Sequence, residues 1–181
     1  MLKLSENPPA LSPGGDSLTE LEGRWYVAHA RARAEKALAW DLHTRGISYF
    51  LPMVERVRKS GGRNRRVLLP LFSPYVFFCG DGDDRYAAMT TNRICQVIEV
   101  TDRQRFVTEL AAIEQALNGK AELDLYPHIA VGQRCRVTAG PLDGVEGIVI
   151  QRLDKARFVL QVNFISTGAV LEVDADILEE L

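Results

Sequence analysis

The sequence predicts an α+β sandwich followed by a small β-barrel. Strand-like and helix-like segments alternate over residues 24–119, and no helical periodicity is evident after residue 131. The charge also changes sign along the chain. Residues 1–120 hold 17 Lys or Arg against 14 Asp or Glu, whereas residues 121–181 hold 5 against 10. We therefore expect two domains, with any acidic partner bound by the first.

The overall composition excludes several classes of protein. The 181 residues carry a formal net charge of -2, without the basic excess of proteins that coat nucleic acid. The three cysteines are far apart and form neither a disulfide framework nor a metal motif, which fits a reducing cytoplasm. Residues 1–16 lack a signal peptide, and no run reaches the roughly 18 apolar residues of a membrane helix. We expect a cytoplasmic protein with no membrane contact.

The first domain is expected over residues 24–119, after a flexible tail. Residues 1–23 are rich in Pro, Gly and Ser, which is typical of a disordered segment. The following pattern predicts a strand at 25–29, a helix at 34–45, strands at 47–57 and 67–78 joined by a polar hairpin, a helix at 83–89, a strand at 95–100 and a helix at 102–117. Together these elements predict a sheet of about four strands covered by helices.

The second domain is expected over residues 129–181, after a polar linker at 120–128 that ends near Pro127. About five short β-type runs follow, separated by turns rich in glycine. Five short strands in so few residues predict a small closed barrel, because closure removes exposed strand edges.

The sharpest motif is the run VGQRCRVTAGPLDGVEGIV at residues 131–149, which resembles the KOW motif. Its turn and close-packing positions are Gly140, Pro141, Asp143, Gly144 and Gly147. Gly140 and Gly144 tolerate positive φ, and Gly147 lets the returning backbone approach closely. KOW barrels occur in transcription factors and in ribosomal proteins, so the motif alone leaves both functions open.

The first domain distinguishes these functions. WYVAH at 25–29, FLPM at 50–53 and PLFSPYVFF at 70–78 resemble, in that order, the N-terminal NGN domain of the NusG family of transcription elongation and antitermination factors. The resemblance extends over residues 24–181. It implies a ferredoxin-like NGN sheet with helices, an SH3-like KOW barrel and a factor that binds the large subunits of RNA polymerase.

The resemblance also implies where the polymerase binds. Tyr75 and Phe77 match aromatic positions that contact the clamp helices of the largest subunit, and strand alternation puts them on one face. His29 is included beside them, and Arg85 with Tyr86 corresponds to a contact with the other large subunit. The alternatives are core packing for the two aromatic residues and a solvated helix face for Arg85 and Tyr86.

The hairpin is the candidate nucleic-acid site. Its positive residues are Arg56, Arg58, Lys59, Arg63, Arg65 and Arg66, with only Glu55 beside them. We assign weak contact with non-template or upstream DNA to Arg63, Arg65 and Arg66. By resemblance, Lys36 and Arg93 extend this surface. The alternative is a solvated basic loop, since nothing here reads bases.

In the barrel, relatives present an apolar loop to a termination factor or a small-subunit ribosomal protein. The corresponding residues are Phe164 and Ile165. The usual Phe-Gly pair of the family is absent, which favours a specialised paralogue of the RfaH-like kind over the housekeeping factor.

The remaining candidates for chemistry are weak. The histidines are widely spaced, and no phosphate-binding glycine loop is present. We therefore predict a monomeric factor with no catalytic activity, metal or cofactor, whose barrel recruits a second partner. The alternative is a ribosome-associated RNA-binding KOW protein, for which a basic barrel is expected, whereas this barrel is acidic.

Overall fold

The computed structural model describes residues 4–12, 17–60, 62–126, 128, 130–152 and 155–181. Gly61 of the hairpin and Pro127 of the predicted linker lie outside these residues. By its contacts the chain divides into two compact units, Met1–Arg103 and Gln104–Leu181. Within the described part of the chain, no helix is long and apolar enough to cross a membrane.

The first unit contains seven strands and two α-helices among its described residues. In chain order they are β1 (Leu11–Ser12), β2 (Arg24–Ala30), α1 (Glu35–Thr44), β3 (Ser48–Phe50), β4 (Met53–Ser60), β5 (Arg63–Pro70), β6 (Tyr75–Gly80), α2 (Gly82–Met89) and β7 (Ile94–Glu99). Five strands form an antiparallel sheet in the order β1-β3-β6-β2-β7, and β4 and β5 form a separate hairpin. The predicted α+β class is confirmed.

Two predicted strands were too long. The segment 47–57 divides into β3 and β4, and 67–78 contains the end of β5, a turn and most of β6. Each division contains a proline, Pro52 or Pro74. Proline has no N–H to donate to a strand ladder, so it interrupts a strand that hydrophobicity alone predicts to continue.

One face of the sheet packs on α1. Tyr26 of β2 lies opposite Phe78 of β6, and their rings stack with centroids 5.0 Å apart. Leu38 and Leu42 lie four residues apart on α1, so both project from one side of the helix into the same apolar cluster. All four side chains are buried. This cluster orients β6, and with it the opposite face of the strand.

The described part of the amino-terminal segment, residues 4–12 and 17–23, contains ordered elements where the composition predicts a flexible tail, and residues 1–3 and 13–16 of that predicted tail lie outside the described residues. Leu11 and Ser12 form β1, which pairs with Phe50 and Tyr49 of β3. Leu18 is completely buried. In these described residues, burial of apolar side chains and pairing at a strand edge offset the conformational entropy that is lost on ordering.

In its described residues, the second unit contains one α-helix and six strands. They are α3 (Arg103–Asn118), whose first residue belongs to the first unit, β8 (Asp124–Tyr126), β9 (Gln133–Val137), β10 (Glu146–Arg152), β11 (Lys155–Val162), β12 (Thr167–Asp174) and β13 (Leu178–Glu180). The strands form one antiparallel sheet in the order β13-β9-β10-β11-β12-β8. The β-rich character predicted for this part of the chain is confirmed.

The predicted linker contributes a strand to this sheet. Within segment 120–128, β8 pairs with Gly168, Ala169 and Val170 of β12, and Leu123 is buried. The short alternation of leucine with polar residues in AELDLY was too brief to be recognised as a strand.

The KOW-like turn adopts the expected backbone. Gly140 and Gly144 have φ of 82° and 81°, where a side chain is disfavoured. A Cβ on Gly147 would lie 2.6 Å from the Phe158 ring. Glycine is therefore required at Gly147 for close packing and at the other two positions for backbone conformation.

Candidate functional surfaces

Tyr75 and His29 form a partly accessible aromatic pair. They lie opposite each other in the register of β6 and β2, with ring centroids 5.6 Å apart in an edge-to-face arrangement. Both side chains are half-buried. Phe78 lies on the face of β6 that packs on α1. Because side chains alternate along the strand, Tyr75 points to the opposite face. The structure thus brings together two of the residues predicted to contact a partner.

Phe77 shares that face with Tyr75 but is not accessible. Its side chain has 0% exposure, and its ring meets Phe72 edge-on at 6.2 Å. In the sheet, Phe77 lies between Val27 of β2 and Phe50 of β3, whereas β3 does not extend as far as Tyr75. The prediction that Phe77 presents its ring with Tyr75 at a surface is therefore wrong. Alternation identifies a face of a strand without showing what covers it.

The exposed part of α2 contains the other predicted polymerase contact. Tyr86 is 72% exposed, and Met89, three residues later on the same side of the helix, is 48% exposed. Arg85 is half-buried. The helix begins with a capping box, in which Asp81 accepts hydrogen bonds from the backbone N–H of Asp84 and its own N–H is bound by the Asp84 carboxylate. This cap fixes the start of the helix that carries Tyr86.

The hairpin separates its charges onto two faces. β4 and β5 pair in continuous register, with Arg58 opposite Arg65 and Ser60 opposite Arg63. Opposed residues share a face, and successive residues alternate between faces. We call the side formed by Arg56, Arg58, Arg63 and Arg65 the arginine face. We call the side that carries Glu55, Lys59 and Arg66 the mixed face.

The two faces differ in electrostatic character. On the mixed face, Nε of Arg66 lies 3.4 Å from Oε1 of Glu55, which partly neutralises the charge. Glu55 is the only acidic residue of the hairpin strands, so the arginine face has none. Like charges directly opposite each other destabilise a strand pair, and a bound anion relieves that repulsion. The arrangement Arg58–Arg65 is therefore suited to binding phosphate.

Lys36 and Arg93, the two residues predicted to extend the basic surface, form polar contacts within the first unit. The Lys36 ammonium donates hydrogen bonds to the Leu68 carbonyl and to the Asn7 side chain, and Arg93 forms an ion pair with Asp41. Both side chains are half-buried. Both side chains already have partners within the protein, and their contribution to the basic surface stays a prediction, because a resemblance transfers a position without the hydrogen-bond partners around it.

The predicted partner loop, in the second unit, contacts α3 of the same unit. Phe164 meets Phe106 edge-on at 5.8 Å. The Glu109 carboxylate accepts hydrogen bonds from the backbone N–H of Asn163, at 2.9 Å, and from the side chain of the same residue. The loop forms a 3-10 helix, Asn163–Ile165, and Ile165 at its end is half-buried. Of the two predicted residues, only Phe164 is shown to contact the helix.

An ion-pair fork on the six-stranded sheet of the second unit was not predicted. Glu146 accepts hydrogen bonds from Arg136 at 2.6 Å and from Arg134 at 3.1 Å. The hydrogen bond from Arg136 holds the pKa of the Glu146 carboxyl below its ordinary value. The fork offsets the positive charge of β9, so it does not provide the basic surface that the RNA-binding alternative requires. The sequence signal that could have predicted the fork is the opposite charge of Arg134 and Arg136, before the glycine turn, and Glu146, after it.

The comparisons with known proteins point to one family. The family model described as transcription termination factor nusG matches residues 23–117, more than half of the chain. In the described residues, no group of three His, Cys, Asp or Glu side chains is arranged to hold a metal. No curated protein sequence gives a match.

Two solved structures are among the similar folds. The NusG of Thermotoga maritima, from a structure concerned with domain interaction, is 15% identical over 88% of this chain and 98% of that chain, with a TM-score of 0.49. A chain of the MjSpt4:Spt5 complex is 13% identical over 87% of this chain and 96% of that chain, with a TM-score of 0.26. The family match alone therefore carries the assignment.

Proposed function

Because this chain belongs to the NusG family of transcription elongation factors, we propose that it binds the large subunits of RNA polymerase and modulates pausing, termination or antitermination. The observation that carries the proposal is the family match over residues 23–117, the segment that presents the accessible pair Tyr75 and His29. This pair is the proposed contact with the clamp helices. Tyr86, with Arg85, is the proposed contact with the other large subunit.

The proposed mechanism uses binding energy alone. A factor that bridges mobile parts of the polymerase favours the elongating state over the paused state only by the difference in its affinity for the two states. No catalytic step, metal or cofactor is needed. The factor is proposed to act as a monomer in the cytoplasm.

The arginine face is the proposed contact with nucleic acid. Arg63 and Arg65 of the predicted residues lie on this face together with Arg58, and all three are exposed on the side of the hairpin that lacks an acidic residue. Arg66, which was also predicted to contact DNA, lies on the mixed face beside Glu55 and is left out of the proposed contact. Contacts of this kind bind phosphates without reading sequence. They are expected to hold non-template or upstream DNA weakly and in a salt-dependent way.

The barrel is proposed to recruit a second protein, either a termination factor or a small-subunit ribosomal protein. Ile165 is the candidate contact, and Phe164 supports the loop through Phe106. The proposed boundaries are the NGN-type domain at 24–119 and the KOW barrel at 129–181. The departure at Phe164 and Ile165 supports a specialised role of the RfaH-like kind.

Affinity for the isolated clamp helices tests the main proposal. Tyr75→Ala is expected to weaken binding by about 2 kcal/mol, or roughly thirtyfold, as hot-spot aromatic residues do. Tyr126→Ala is the matched control, because Tyr126 also meets a histidine, His128, edge-on but lies in the second unit. Equal affinity of wild type and Tyr75→Ala, with unchanged circular dichroism, would remove this surface from the proposal.

A further inference from the structure

The amino-terminal segment is tied to the first unit by a series of polar contacts. Its carbonyls at Glu6, Pro9 and Ala10 accept hydrogen bonds from Trp40 Nε1 at 3.3 Å, the Tyr49 hydroxyl at 3.0 Å and the Leu51 N–H at 2.7 Å. A further hydrogen bond joins the Ser12 hydroxyl to His43. These contacts extend over α1 and β3. We call residues 4–12 the strap.

Lys36 connects the strap to the basic hairpin. Its ammonium donates both to the Asn7 side chain in the strap and to the Leu68 carbonyl in β5. Burial lowers the pKa of Lys36, and the charge of Glu35 opposes that shift. The first turn of the strap, Leu4–Glu6, also lies against β5. One half-buried cation therefore joins three elements: the strap, α1 and the hairpin.

The hairpin depends on its base for orientation. Among the described residues, β4 and β5 pair with each other and with no strand of the five-stranded sheet. Met53, Val54 and Val67 are buried near the base, and the residues toward the tip are exposed. A two-stranded ribbon is only marginally stable alone. The direction of the arginine face is thus set by contacts at this base.

We propose that the strap orients the basic hairpin for nucleic acid, and that Lys36 is the positioning residue through which it acts. This proposal rests on the nucleic-acid role assigned to the arginine face, and it replaces direct contact between Lys36 and DNA. Removing the ammonium breaks the link between Asn7 and Leu68 without substituting any residue of the arginine face.

Amide hydrogen exchange of the full chain without nucleic acid tests the positioning role. Lys36→Met is expected to raise exchange of the Leu71 N–H, which closes the hairpin base on the Pro52 carbonyl at 2.8 Å, by about tenfold or more. Exchange in β2 is expected to stay unchanged. Lys59→Met, which removes an exposed lysine from the mixed face, is the control. Unchanged exchange in Lys36→Met would overturn the proposal.

A double-mutant cycle then tests the link to nucleic acid. The probe is a single-stranded DNA oligonucleotide, with full-length Asn7→Ala, Lys36→Met and the double variant. If Lys36 acts through the strap, the double variant loses no more affinity than Lys36→Met alone. If the losses of DNA affinity in Asn7→Ala and Lys36→Met add up in the double variant, Lys36 does not act through the strap and this part of the proposal is overturned. If instead Arg58→Gln with Arg65→Gln leaves DNA affinity unchanged, the nucleic-acid role fails and the exchange result still decides the positioning role.

Discussion

The pair β2–β6 and the hairpin β4–β5 are both antiparallel strand pairs of the first unit, but their side chains have opposite environments. Phe78 and its neighbours on β6 are buried. In the outer half of the hairpin, from Arg58 to Arg65, the described side chains are exposed. The same backbone pairing therefore has two uses: in β2–β6 it supports a buried core that stabilises the fold, and in β4–β5 it presents charged side chains to solvent. Substitutions in the two pairs should therefore change different measurements.

The largest expected effect is loss of the core ring at Phe78. Phe78→Ala removes the stack on Tyr26 and leaves a cavity, so the free energy of unfolding should fall by about 3–5 kcal/mol. Val57→Ala is the matched control, because this apolar hairpin side chain is 62% exposed and should change stability by less than about 0.5 kcal/mol. Denaturant unfolding followed by circular dichroism measures both. Similar losses would break the contrast.

The contrast between packed and open surroundings also applies to two glycines, Gly147 and Gly82. Gly147→Ala should destabilise the protein by about 1–3 kcal/mol, because the new methyl group would lie 2.6 Å from the Phe158 ring. Gly82→Ala, at an open position in the first turn of α2, should stabilise it by about 0.4–1 kcal/mol. The midpoint of thermal unfolding should fall in Gly147→Ala and rise in Gly82→Ala. A shift in the same direction for both variants would show that space around the glycine does not govern the effect.

A smaller effect follows from the buried thiol beside this core. Burial raises the pKa of Cys79 from 9.0 to about 11, and the thiol donates to the Glu22 carbonyl. A raised pKa in the folded state contributes stability below pH 9 that is lost as pH rises to about 11. Stability should therefore fall by about 1–2 kcal/mol over this range, and by less in Cys79→Ala.

Thiol labelling provides a second readout of the same contrast. Cys95, on the edge strand β7, is exposed, whereas Cys79 and Cys135 are buried. In the native protein a thiol reagent should modify Cys95 at least tenfold faster than the other two. Comparable rates at Cys79 and Cys95 would mean that the β2–β6 core opens as readily as the sheet edge.

The sequence predicts regular elements better than their surroundings. The helices at 34–45 and 102–117 were placed within a residue or so, because their apolar spacing repeats over several turns. The strap was missed because composition counts its prolines but does not show that β3 has an open edge for Leu11 and Ser12. Local pattern indicates what a segment prefers, and the tertiary partner decides whether it is ordered.

The candidate sites show the same limit. Pairing of His29 with Tyr75 follows from strand register, which short sequence motifs do not contain. Burial of Phe77 and the hydrogen bonds of Lys36 depend on residues far away in the chain. The division of the hairpin into two faces was also absent from the prediction, although the charges themselves were recognised. Side chains alternate between the two faces of a strand, but only the pairing register shows which residues of the partner strand share the face of Arg65 and which share the face of Arg66.

The most direct test of the account compares two double variants with the same loss of charge. Arg58→Gln with Arg65→Gln alters the arginine face, and Lys59→Gln with Arg66→Gln alters the mixed face. The measurement is the affinity of each full-length protein for a polymerase elongation complex over a range of salt concentrations. We predict that the arginine-face variant reduces the magnitude of the slope of log affinity against log salt by about 1.4–1.8, at roughly 0.7–0.9 for each of the two lost phosphate contacts. The mixed-face variant should lower it by less than half as much, and equal slopes for the two variants would contradict the account.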